Sequence, residues 1–236
     1  MPSQLTGRLG FSAITGLAAI GFAVTIVSAN LILVPGGLPL TGADIGRAEA
    51  FFATENGIVA VASALTPAAW LLATLFGAGA VTALRRSERD RGEAWSLIGF
   101  TGLALQNATF AAVTATRLAM SSATADDIPA PSGLWPLHDA LFTLNGTFLA
   151  LALIGLSIAG LRAGLIRRWH GATGLASATL LFTSATLTPL IIDHEGPLGL
   201  LGLVGWLLWV VWILAYGTTL IRLNRSSSVV ETGLSG

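Results

Sequence analysis

The chain has 236 residues, of which 53% are hydrophobic and only 10% charged, and its mean hydropathy is +0.77. A soluble domain carries about 25% charged residues, so this chain cannot solvate its own surface in water, and lipid is read as the solvent for most of it. Basic and acidic residues both number 12, nothing in their distribution points to a nucleic-acid partner, the absence of Lys excludes Schiff-base chemistry, and the absence of Cys excludes disulfides, thiolate metal sites and iron–sulfur clusters.

A helix needs about 20 apolar residues to cross the hydrocarbon. Six segments meet that length, at residues 10–34, 57–84, 95–120, 138–161, 171–192 and 198–221. The expected fold is therefore all-α: a polytopic membrane protein with six transmembrane helices in one bundle over residues 1–222, followed by a disordered tail at 223–236. The first span is too long for the apolar core of a signal peptide and reads as a retained anchor. After it, "PLTGADIGRAEAFFATEN" suggests a short amphipathic helix, with Thr41 and Asp44 at capping-box spacing and Ile45, Ala48 and Phe52 on one face. Span two contains Ser63, Thr66 and then Pro67, which removes a backbone hydrogen bond and favours a kink.

The Arg residues set the orientation. Arg8, Arg85, Arg86, Arg89, Arg91, Arg162, Arg167, Arg168, Arg222 and Arg225 fall on one side, and only Arg47 and Arg117 on the other. By the positive-inside rule both termini are expected in the cytoplasm, with the protein in the inner (plasma) membrane.

Polar residues within spans are costly and are functional candidates by default. Span three carries Gln106, Asn107, Thr114 and Arg117 on a compact polar face, and span four carries Asn145 seven residues after His138. "NAT" at Asn107 and "NGT" at Asn145 match the glycosylation pattern but lie inside spans. Between spans three and four, "SSATADDIPAPSGLWP" is small, polar and Pro-rich, as a loop is. Span five ends in Thr183, Ser184, Thr186, Thr188 and Pro189; its Ser and Thr residues suit ordinary interhelical hydrogen bonds. On span six, Trp206, Trp209 and Trp212 read as packing or a lipid face, and Gly199, Gly202 and Gly205 as a close-packing series.

Two polar clusters bracket spans four and five: "WPLHDAL" opens one and "IIDHEGP" closes the other. His138 and His194, with Asp139, Asp193 and Glu195, form a possible set of metal ligands, or two axial His ligands for haem. The plainer reading is a wet polar rim, with Asp139 favoured near a helix N-terminus by the macrodipole alone.

From Leu137 onward, "LHDALFTLNGTFLALALIGLSIAGLRAGLIRRWHGATGLASATLLF" resembles six-helix bacterial integral membrane proteins catalogued as a domain of unknown function. Arg162, Gly164, Arg168 and Gly171 fit that family's fourth-to-fifth connection and His138 its opening position, while Arg167 stands where the family usually has Pro. The resemblance covers residues 134–190 and implies a fold without an activity.

Two function classes follow. The first is a non-enzymatic membrane protein that binds a lipid or small apolar ligand, or acts as an accessory or sensory subunit, through an outward-facing polar cleft bounded by Gln106, Asn107, Arg117 and Asn145. Its partners would be the lipid bilayer and either a membrane-protein partner or a second copy of the chain. The second is a metal- or haem-dependent membrane enzyme using the outer His and acid residues.

Overall fold

The computed structural model describes residues 10–125, 133–193 and 196–233. Among these the chain is helical without strands: α1 (Phe11–Leu33), α2 (Ile45–Thr54), α3 (Asn56–Arg91), α4 (Trp95–Ala125), α5 (Leu134–Arg162), α6 (Arg168–Thr186), α7 (Thr188–Ile191) and α8 (Gly199–Gly233). Five helices, α1, α3, α4, α5 and α8, are long and apolar enough to cross a membrane.

The six long helices close a ring in chain order. Helix α1 packs on α3, α3 on α4, α4 on α5, α5 on α6, α6 on α8, and α8 returns to α1. Most of the Arg residues lie in the helix ends that two short connections join at one end of the ring, which we call the Arg-rich end. The opposite, Arg-poor end holds the α1–α2 connection and α2.

Lipid offers no hydrophobic drive to helix association, so close packing at small residues must hold the ring. At the α1–α8 contact, a methyl added to Gly16 would lie 2.6 Å from the Gly217 carbonyl oxygen, and one added to Gly217 would lie 2.7 Å from that of Gly16. Gly99 and Gly155 bring α4 and α5 equally close, and Gly205 lets α8 approach Leu181 of α6. The expected glycine series on span six is thus partly realised, since Gly199 has nothing within 4 Å. Trp209 and Trp212 are buried in the central cluster with Phe22, Phe76 and Tyr216, so the tryptophan stripe packs inward.

Several boundaries differ from the sequence reading. Helix α3 runs on to Arg91 and stops at Gly92, whose φ of 66° is a left-handed cap. Helix α4 continues to Ala125, into the stretch read as loop. Helix α8 is drawn to Gly233, beyond the boundary read at residue 222. The amphipathic helix is present as α2, but Asp44 is its N-cap, accepting from the Arg47 N–H at 3.1 Å. Its buried face is Ala48, Phe51 and Phe52, with Ile45 exposed.

Most Thr hydroxyls turn back on their own helix instead of crossing to a neighbour. Thr74 donates to Trp70 O at 2.8 Å and Thr114 to Phe110 O at 3.0 Å. Two of them answer a proline. Pro67 leaves the Ser63 carbonyl without its helical donor, and Thr66 Oγ1 donates to it at 2.8 Å. Pro189 does the same to Ala185, and Thr188 Oγ1 donates there at 2.6 Å.

Candidate functional site

The seam between α4 and α5 carries the polar residues singled out in the sequence. Its facing positions follow the coiled-coil spacing of antiparallel helices. From the Arg-rich end, Gly99 lies against Leu156 and Gly102 against Ala152 and the Phe148 carbonyl. Further along, the Phe110 and Phe142 rings meet at 6.4 Å, and Arg117 reaches His138. Gln106 of α4 and Asn145 of α5 fall between the glycine contact and the phenylalanine pair. Both are buried, at 6% and 7% exposure. Gln106 Oε1 and Asn145 Oδ1 have no hydrogen-bond partner among the described residues. A buried carbonyl left unpaired costs about 1–3 kcal/mol, so this layer is primed for a donor.

Asn107 turns to the other side of α4. Its Nδ2 donates to Trp70 O of α3 at 3.1 Å and to Thr74 Oγ1 at 3.4 Å, while Oδ1 is buried and unpaired. Arg117 stands eleven residues beyond Gln106, about 16 Å along the axis. The four residues expected around one cleft therefore occupy three places: the α4–α5 seam, the α3–α4 seam and the Arg-poor end. A shallow pocket of about 340 Å³ opens at the α1–α2 connection, lined by Gly36, Gly37, Pro39, Arg47, Phe51 and Glu55 among others; none of the four lines it.

At the Arg-poor end a buried network closes the seam. Arg117 is 7% exposed, His138 3% and Asp139 2%. The Arg117 Nε–H donates to His138 Nε2 at 2.9 Å. Arginine always carries that hydrogen, so Nε2 must be the acceptor and the imidazole proton resides on Nδ1. That Nδ1–H donates to Asp139 Oδ1 at 3.1 Å. The other carboxylate oxygen accepts from the backbone N–H of Gly42 at 2.8 Å. The imidazole thus stands between a buried cation and a buried anion, and the assembly is neutral as a whole. Helical spacing builds the aromatic walls: Trp135 stacks on the imidazole at 5.0 Å from one side and Phe142 at 6.1 Å from the other. The Arg117 guanidinium lies over Phe142 at 5.9 Å. Trp135 Nε1–H also donates to Ala43 O at 2.9 Å, so α5 holds the α1–α2 connection at two successive residues.

This arrangement bears on the ligand set read from the sequence. The His138 Nε2 lone pair points at Arg117, and Nδ1 at Asp139, so a metal or haem iron would have to displace one of them. Asp193 is exposed, and His194 and Glu195 lie outside the described residues. Among the described residues no three His, Asp or Glu side chains converge on a metal position.

Sequence reasoning passed over the polar contacts at the Arg-rich end. Glu88 is buried, and its carboxylate accepts from both the backbone N–H of Ser96, at 2.6 Å, and the Ser96 hydroxyl. The signal was available: Ala80, Leu84 and Glu88 recur every four residues on one buried face. His170 is buried too, with Nε2–H donating to Trp212 O at 2.9 Å, while Trp212 Nε1–H donates to Ser157 Oγ at 3.0 Å. Glu93, in the α3–α4 connection, pairs with Arg162 at the end of α5 and, at 3.2 Å, with Arg91 at the end of α3.

No family model matches the chain, and no curated protein or solved structure matches it.

Proposed function

We propose that the protein is a non-enzymatic, six-span membrane protein that binds a small ligand or lipid in the α4–α5 seam. In this reading α6, continued by α7, is the sixth span, both termini are cytoplasmic, and the Arg-poor end faces outward from the plasma membrane. The ten-to-two division of Arg residues supports the orientation. The place of α6 in the ring, between α5 and α8, supports the sixth span.

The observation that carries the binding function is the pair of buried, unpaired amide oxygens of Gln106 and Asn145 in one stretch of the seam. Both are acceptors, so the matching ligand group is a donor: a hydroxyl or an amine. No Asp or Glu lies between Trp95 and Ala125 or between Thr143 and Arg162, which favours an uncharged donor over a metal cation. The metal or haem reading draws no support from His138, whose two ring nitrogens are already engaged.

Native mass spectrometry of the purified protein in nanodiscs tests this reading. A ligand retained beyond bulk lipid by the wild type, and lost from the Gln106→Leu/Asn145→Leu double variant, is the expected result. Equal spectra for the two proteins would overturn it.

A further inference from the structure

We propose that α2 and the connection before it form a lid over the Arg-poor end of the seam, with Trp135 and Asp139 as its latch. The proposal rests on the binding reading above, because the seam is what the lid would guard.

The lid is a separable piece of structure. Helix α2 has only ten residues and lies between two joints. On one side are Gly36 and Gly37; Gly37 has a φ of 93° and no atom within 4 Å of where a Cβ would stand. On the other is Glu55, the single non-helical residue separating α2 from α3, with φ −111° and ψ 27°. Hinges are a few residues at element ends that absorb backbone rotation. Here one joint stands at each end of the piece formed by the connection and α2.

The latch is equally discrete. The Asp139 carboxylate takes the Gly42 N–H, and the Trp135 indole takes the Ala43 carbonyl. Gly42 has a φ of 84°, a left-handed conformation that suits glycine and turns its N–H toward α5. Below the latch Ala48, Phe51 and Phe52 pack with Met120 and Trp135 in one cluster, and the Phe52 and Trp135 rings lie 6.3 Å apart. Moving inward from this cluster, the seam passes Arg117 and His138, then Phe110 and Phe142, then Gln106 and Asn145. The same carboxylate that holds the lid orients His138, and His138 holds Arg117 across the seam. Release of Asp139 therefore frees the lid and loosens the next layer together.

The Cys-free chain allows a direct test with single-cysteine reporters. Ala48→Cys places a thiol under the lid, where Ala48 is 1% exposed, and Asn145→Cys places one in the seam. Each is combined with Trp135→Phe, which keeps a ring but drops the indole donor, and separately with Asp139→Asn. An asparagine can accept from Gly42 only by turning its NH₂ toward the His138 N–H. The reporters are treated from the Arg-poor side with methanethiosulfonate ethylammonium. Both thiols are expected to react about 3-fold faster or more with Trp135→Phe and about 10-fold faster or more with Asp139→Asn, the changes that loss of one neutral and one charge-assisted bond give in an opening equilibrium. Unchanged rates at Ala48→Cys in folded latch variants would overturn the lid. Faster reaction at Ala48→Cys alone would overturn its control of the seam. Trp135→Phe carries the test by itself if Asp139→Asn does not fold. The Ala48→Cys rates report on the lid whether or not the seam holds a ligand, so the mass-spectrometric result and the lid result fail separately.

Discussion

His138 and His170 sit at opposite ends of the bundle and are held in opposite ways. Both are buried, and both bridge two parts of the chain. His138 links a guanidinium to a carboxylate, and that carboxylate holds a loop. His170 donates one neutral bond to a carbonyl of the neighbouring helix, its ring among Trp212 and Tyr216. A charged relay in a low-dielectric setting depends on every member, because losing one strands a charge. A neutral bridge loses only itself. The Arg-poor end is thus built as a latch and the Arg-rich end as a rivet.

The comparison breaks most readily at Arg117. Arg117→Met leaves Asp139 buried without its cation, and we expect a loss of about 3–5 kcal/mol in denaturation of the purified protein. Arg117→Met/Asp139→Asn removes both charges and should recover most of that loss; a double variant as unstable as the single one would show that the two charges are not coupled. Glu88→Ala, at the other end, strips the Ser96 N–H and hydroxyl of their shared acceptor at the start of α4. The expected cost is about 1–3 kcal/mol, read from the same denaturation curves. His170→Phe should cost only about 0.6 kcal/mol, the average for a hydrogen bond between membrane helices. A loss as large as that of Arg117→Met would mean that His170 carries charge and that the contrast between the ends is wrong. The smallest effect belongs to Tyr216→Phe. The Tyr216 hydroxyl is buried with no partner among the described residues, so removing it should leave the midpoint unchanged or slightly raised.

Much of this was legible because charged and amide side chains are rare in the chain. Gln106, Asn107, Arg117, His138 and Asn145 stand out from apolar surroundings, and each proves to be buried or partly buried. Their grouping was not legible to the same degree. A residue's position on the helical wheel says which side it faces but not which neighbour is there. Asn107 bonds to Trp70 of α3, while the seven-residue spacing from Gly99 puts Gln106 on the α5 side, although the two are adjacent in sequence. His170 passed unnoticed because it follows Arg167, Arg168 and Trp169 and reads as part of an interfacial run. The Trp135, His138 and Phe142 stripe carried a usable signal in its three-and-four spacing, but nothing in it names residues 42 and 43 as the partner.

The two Thr-Pro steps separate what sequence determines from what tertiary structure decides. The sequence alone determines the local chemistry: each proline removes the donor to the carbonyl four residues earlier, and a threonine just before it can supply a hydroxyl. Both threonines do so. It also determines the solvent, since a chain this apolar and this poor in charge needs lipid, and the helical class, since apolar runs of about 20 residues satisfy their backbone there within one helix. Whether the helix then continues is decided elsewhere. Helix α3 runs unbroken through Pro67 because Val59 and Ala62 before it, and Ala69 and Ala73 after it, are all buried against neighbouring helices. Helix α6 stops at Thr186, and only the four residues of α7 follow. The same dipeptide gives a continuous helix or a broken one according to how much packed structure stands on its far side. The latch follows the same logic: Asp139 and Gly42 are 97 residues apart, and only the closed ring of helices brings them to 2.8 Å.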